Sequence, residues 1–195
     1  SAQPVPCRPG SYSLGGKVDR CNDCASGKYQ SADSATGCVD CTPGHYCEDG
    51  AAAPRPCPRG MRTNTSLLVM TSKDDCITCG EGSFCPIGSV DETPCAAGTY
   101  NSLEGQWQCL KCSTGTYQEE EGATSCGACS VGSHCGLGAS AALPCPAGSY
   151  SAATGLSDSA QCVRCPAGAF CFAGATEPAH CSAGSHAPDT TAPLC

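Results

Sequence analysis

The chain has 195 residues, of which 5% are aromatic, 24 are glycine and 15 are proline, too little apolar bulk to fill one large core. A formal net charge of −8 leaves no cationic face for a phosphate backbone and argues against nucleic acid as a partner. No stretch reaches the ~20 apolar residues of a membrane span, and no signal-peptide pattern precedes Ser1, so the sequence reads as mature or excised material.

Stability must come instead from its 22 cysteines. Eleven of them open a Cys-x-x-Gly motif, at Cys7, Cys24, Cys41, Cys57, Cys79, Cys95, Cys112, Cys129, Cys145, Cys165 and Cys181, and the other eleven close the units so begun. In the chain-entropy model, closing a loop of about fifteen residues with a disulfide is worth ~3 kcal/mol, so many closures substitute for missing burial. Such a density of bridges persists only in an oxidising compartment, which places the chain outside the cell, secreted or at the cell surface.

From the N-terminus onward the units come in two lengths. Thirteen residues separate Cys7 from Cys21, Cys24 from Cys38, Cys95 from Cys109, Cys112 from Cys126 and Cys181 from Cys195; eighteen separate Cys57 from Cys76, and sixteen separate Cys145 from Cys162. Short units hold five residues, Cys41 to Cys47, Cys79 to Cys85, Cys129 to Cys135 and Cys165 to Cys171, each followed by a nine-residue spacer. The order long, long, short, long, short restarts at Cys95 and again at Cys181, giving super-repeats over 1–94 and 95–180 and the start of a third at 181–195. Residues 1–6 resemble the second part of a spacer, as if the sequence were cut from a longer array. Self-similarity of this kind predicts a quasi-one-dimensional rod in which each module touches only its neighbours.

The glycine three residues after each opening cysteine predicts a tight turn of positive φ. Two positions later stands Tyr12, Tyr29, Tyr46, Phe84, Tyr100, Tyr117, Tyr150 or Phe170, with His134 and His186 in the same slot and Arg62 as the exception. These rings are expected to pack on the neighbouring disulfide and the next module as a small replacement core. Short two-stranded hairpins and turns, with little or no helix, complete the expected fold class of a small disulfide-rich protein.

Spacing leaves the pairing open between two schemes. Each unit could close on itself, at the cost of four tight five-residue loops, or each short unit could interlock with the long unit that follows. The interlocked expectation joins Cys41 to Cys57, Cys47 to Cys76, Cys79 to Cys95, Cys85 to Cys109, Cys129 to Cys145, Cys135 to Cys162, Cys165 to Cys181 and Cys171 to Cys195. Cys24 with Cys38 and Cys112 with Cys126 would close alone, as would Cys7 with Cys21 if no short unit precedes them.

The elements CPAGSY and CPAGAFC, and Cys-x-x-Cys junctions followed by Cys-x-x-Gly-x-Tyr, resemble the ephrin-receptor-like cysteine-rich repeats, relatives of TNF-receptor and EGF-like modules. The resemblance covers residues 7 to 195. It implies tandem modules in an elongated, extracellular and often glycosylated chain, of a kind found in receptor ectodomains and in long surface proteins, including those of flagellar hairs. The acidic signature of calcium-binding EGF-like modules has no match here.

Six Cys-x-x-Cys junctions would suggest zinc or redox sites elsewhere, but each straddles two units and reads as structural. His45, His134, His180 and His186 form no constellation with carboxylates, and no phosphate loop or metalloprotease motif occurs, so neither catalysis, metal nor cofactor is expected. Glu119, Glu120 and Glu121 read as a solvated loop tip. Asn64-Thr65-Ser66 is the one N-glycosylation sequon and falls in the longest loop. That loop continues as Leu67, Leu68, Val69 and Met70, either a strand packed on its own module or an exposed edge that adds to another chain. Trp107, where equivalent units have Asp19 and Pro193, is a second candidate contact. The functional expectation is a non-enzymatic glycosylated rod that self-associates, or meets other extracellular proteins, in a filament, flagellar hair or surface layer. The alternative is a ligand-binding or adhesion ectodomain.

Overall fold

The computed structural model describes residues 6–14 and 20–182. They form twenty two-residue strands paired into ten two-stranded antiparallel sheets, with two single turns of 3₁₀-helix at Lys73–Asp75 and Ser159–Gln161 and no α-helix among the described residues. This is a small disulfide-rich fold of tandem modules. Two compact units divide the chain: Ser1–Thr93 with Glu104–Gln108, and Pro94–Leu103 with Cys109–Cys195. His186, Asp19, Pro193, Cys195 and residues 1–5 lie outside the described residues.

Every described module is nucleated by the same turn. The glycine after each opening cysteine has φ between 72° and 86°, from Gly10 to Gly168. The residue after it donates its N–H to the carbonyl three back, as from Lys28 to Ala25, His45 to Thr42 and Ser149 to Pro146 at 3.0–3.1 Å. A β-turn with φ positive at its third residue is the type II turn, which needs glycine there. The two residues that leave the turn pair antiparallel with the two that precede the next opening cysteine, as Tyr29 with Val39 and Tyr150 with Val163. The hairpin thus ends where the next module begins, and the next cysteine is tied down in turn: Cys41 N–H donates to the Gly27 carbonyl at 2.9 Å and Cys145 N–H to Gly132 at 2.8 Å.

This turn corrects the interlocked pairing. All ten described disulfides close within their own unit: Cys7–Cys21, Cys24–Cys38, Cys41–Cys47, Cys57–Cys76, Cys79–Cys85, Cys95–Cys109, Cys112–Cys126, Cys129–Cys135, Cys145–Cys162 and Cys165–Cys171. The bonds of Cys41, Cys47, Cys79, Cys85, Cys129, Cys135, Cys165 and Cys171 rule out the cross-unit partners Cys57, Cys76, Cys95, Cys109, Cys145, Cys162, Cys181 and Cys195. The physical reason is that a five-residue loop is not tight once a type II turn occupies it. The turn reverses the chain, and the sixth residue returns within bridging reach of the first, with Cα atoms 5.9 Å apart in Cys41–Cys47 and Cys129–Cys135.

No described disulfide crosses from one module to the next, so the modules are joined by backbone hydrogen bonds. The turn glycine of one module donates to the carbonyl six residues into the next: Gly27 to Cys47 at 2.7 Å, Gly60 to Cys85 at 2.8 Å, Gly148 to Cys171 at 2.9 Å. The opening cysteine's carbonyl accepts from a second glycine of positive φ in the next module, as Cys24 from Gly50, Cys57 from Gly88, Cys112 from Gly138 and Cys145 from Gly174. Ser34, with φ 55°, takes that role toward Cys7. Each such bond is worth ~1 kcal/mol net, but leaving its buried donor unpaired would cost more.

Contact also extends further than nearest neighbours, contrary to the expectation for a simple stack. A methyl group placed on the turn glycine Gly10, Gly44, Gly60, Gly98, Gly115 or Gly132 would collide with the carbonyl oxygen of Gly50, Gly88, Gly105, Gly138, Gly155 or Gly174, the loop glycine two modules on. The aromatic slot seals the side of this backbone spine. Tyr46 packs against Cys57, Met70 and Cys76, and Tyr150 against Cys165, Ala169 and Cys171, so each ring covers the disulfide of the module ahead.

Gly44→Ala should therefore destabilise the oxidised protein by at least ~1–3 kcal/mol, from the positive φ alone and more from the collision. Gly136→Ala, where nothing lies within 4 Å of the added methyl, should be close to neutral. Denaturant unfolding of the two variants under non-reducing conditions checks the difference.

Candidate functional surface

With disulfides and backbone consuming the interior, chemistry is left to the surface. Two open depressions are lined by Tyr150, Ser151, Leu156, Gln161 and Val163 in one case and by Glu48, Asp49, Ala52, Pro54 and Arg55 in the other. Neither lining contains a histidine or cysteine. Among the described residues no cysteine is free and no group of three or more His, Cys, Asp or Glu is placed to hold a metal ion. His45 Nδ1 lies 3.0 Å from the Pro43 carbonyl, and His134 sits in the aromatic slot opposite Leu143.

Within the long loop between Cys57 and Cys76, the run from Leu67 to Met70 forms no strand. Asn64 accepts the Leu67 N–H on its carbonyl at 3.1 Å, and its side-chain Oδ1 accepts the Ser66 N–H at 3.1 Å. Met70 is only 3% exposed; its carbonyl accepts the Cys47 N–H and its sulfur the Asn64 N–H, so it belongs to the core and not to a contact surface. Val69 covers Gly27, in the place that the loop glycine takes in other modules. Leu67 is exposed, and Leu68 is completely so.

The insert closes on a short helical turn whose cap recurs. Asp75 Oδ2 accepts the Thr71 N–H at 2.6 Å, the Thr71 hydroxyl at 2.9 Å and the Ser72 N–H at 3.0 Å. These bonds, the Thr71 N–H foremost, hold its carboxyl below the usual carboxylate range. In the other extended unit Gln161 Oε1 does the same for Ser157 and Asp158. The two loops longer than the thirteen-residue standard thus share one device, an acceptor immediately before the closing cysteine.

Trp107 is 45% exposed, with the Arg59 guanidinium 5.0 Å over its ring. A surface cation–π pair of this kind is worth ~0.5–1 kcal/mol, and it gives the indole a local partner. Arg62, the exception in the aromatic slot, has its own answer: its Nε lies 3.5 Å from Glu92 Oε2, which also accepts the Gly80 N–H at 3.0 Å.

One feature was not singled out from the sequence. The residue directly opposite the aromatic slot is Val39, Leu110, Leu143 or Val163 in four modules, and each is about half exposed, 50–56%. Leu110, Leu143 and Val163 all belong to the second unit. The available signal was an aliphatic residue two positions before an opening cysteine, at a point where the framework requires only a backbone pair.

Residues 82–129 and 98–140 match the family model described as tyrosine-protein kinase ephrin type A/B receptor-like. With ten disulfides in a cysteine-rich chain, this stretch fits an ephrin-receptor-like cysteine-rich repeat. That module type is extracellular and non-catalytic, which together with the disulfide density points to an extracellular or cell-surface location. No helix among the described residues is long and apolar enough to cross a membrane. A comparison with curated proteins finds no match to the chain.

Because the Asp75 pKa is lowered in the fold, its contribution is present above the unfolded value near 4 and is lost as pH falls through the folded value. Asp75→Asn should cost at most ~1 kcal/mol at pH 7, the usual scale of a cap. The gap to the parent should be smaller at about pH 2. Thermal unfolding at the two pH values reads the difference; a gap of equal size at both would show that charge plays no part.

Proposed function

We propose that the chain is a structural extracellular protein, a disulfide-stapled and glycosylated repeat array that builds a filament, flagellar hair or surface layer by self-association. The observation that carries this reading is the recurrence of a half-exposed aliphatic residue at one hairpin position in four modules, Val39, Leu110, Leu143 and Val163, although the hairpin between Leu110 and Leu143 has Gly127 there. A binding site for a unique ligand needs one module to differ from its neighbours. A lateral contact between like arrays can reuse one small contact at the same hairpin position of several modules. Trp107 is a further candidate contact, since its ring remains accessible beside Arg59.

The match to a receptor-like family model favours a second reading, a ligand-binding or adhesion ectodomain. In that case specificity would sit in variable loops such as the insert between Cys57 and Cys76.

Electron microscopy of non-reduced protein over a range of concentrations separates the two. Ordered filaments or lateral bundles are expected, and the triple variant Leu110→Ser, Leu143→Ser, Val163→Ser should remain folded yet associate more weakly. Isolated particles at every concentration would overturn the structural reading and favour the receptor-like one, whereas association unaltered in the triple variant would remove this row from the contact.

A further inference from the structure

Leu67 and Leu68 are an exposed apolar pair at a loop tip, three and four residues from the one sequon of the chain. The pair is too small for a protein interface, which needs ~800 Å² on each partner. Nor does it recur in other modules, as the aliphatic hairpin position does. What distinguishes it is its neighbour. The bond from Leu67 N–H to the Asn64 carbonyl closes a turn that brings Asn64 and Leu67 together, while the Ser66 N–H fixes Asn64 Oδ1. Asn64 Nδ2, the atom a glycan would occupy, makes no hydrogen bond among the described residues.

We propose that an N-linked glycan on Asn64 lies over Leu67 and Leu68, with the C–H face and acetyl methyl of its first N-acetylglucosamine covering their side chains. Attachment would proceed from a lipid-pyrophosphate-linked oligosaccharide: Nδ2 forms the bond to the anomeric carbon, the C–O bond to pyrophosphate breaks, and the amide gives up one proton. The turn then places a saccharide with one apolar face beside Leu68, which is fully exposed, and the exposed part of Leu67. Oδ1 held by the Ser66 N–H limits rotation of the amide, so the sugar is directed and not free to swing. Burial of the C–H face against the leucines supplies the attraction.

This rests on the extracellular reading of the chain and on use of the sequon, not on filament formation. The test uses protein secreted from a eukaryotic host, at a dilution where light scattering reports single chains, so a failure of assembly cannot be mistaken for a failure of glycan packing. Ser66→Ala abolishes the sequon but keeps Asn64 and every backbone bond of the turn. Hydroxyl-radical footprinting read by mass spectrometry should show Leu67 and Leu68 oxidised several-fold more slowly in the glycosylated parent than in Ser66→Ala, with exposed Leu137 unchanged as the internal reference. Equal oxidation rates with Asn64 occupied would overturn the packing, and an unmodified Asn64 in the secreted parent would overturn the site itself.

Discussion

Across alternate modules, backbone packs directly against backbone. A turn glycine of one module faces the carbonyl of a loop glycine two modules on, with no space between them for a Cβ. Six of the described turn glycines, Gly10, Gly44, Gly60, Gly98, Gly115 and Gly132, make that approach, while Gly27 meets Val69 in its place. The approach sets the distance at which the intervening module can offer its own carbonyl to the turn glycine and its own N–H to the opening cysteine. Both glycines also need positive φ, so one residue type meets a steric and a conformational demand at once.

A chain poor in aromatic residues can hold together this way because its tasks are divided. Disulfides act inside modules, where they remove conformational freedom from the unfolded loops. Hydrogen bonds act between modules, where they fix register. Half-buried rings then exclude water from the disulfide of the next module, as Tyr46 does at Cys57–Cys76. The opening cysteines are fully buried in most modules because this layering covers them from both sides. None of these tasks uses the outer half of the hairpins, which leaves the positions of Val39, Leu110, Leu143 and Val163 free to carry function.

The exceptions to the pattern show how strongly it is enforced. Arg62 occupies an aromatic slot, and an ion pair to Glu92 stabilises it there. The eighteen-residue loop has no glycine in the usual place, and Val69 packs over Gly27 while Met70 supplies the carbonyl that Cys47 requires. Longer loops end on a capped turn, with Asp75 or Gln161 as acceptor, so that the closing cysteine returns to its usual position. Insertions are absorbed in the loop and the spine is left unchanged.

Cysteine count, motif spacing and the slot after each glycine were enough to determine a tandem disulfide fold of short hairpins, because each rests on a local requirement: a turn that needs glycine, or a ring at fixed separation from it. Pairing was not determined. The sequence presents a five-residue loop as tight, and only the type II turn within it shows that the sixth residue comes back to the first. The same holds for the surface. Met70 and Leu68 look alike in an aliphatic run, yet one is core and the other fully exposed, since the difference arises from a hydrogen bond to Cys47 in the preceding module. Contacts between modules lie dozens of residues apart in the chain, and no local pattern encodes which carbonyl a given N–H will meet.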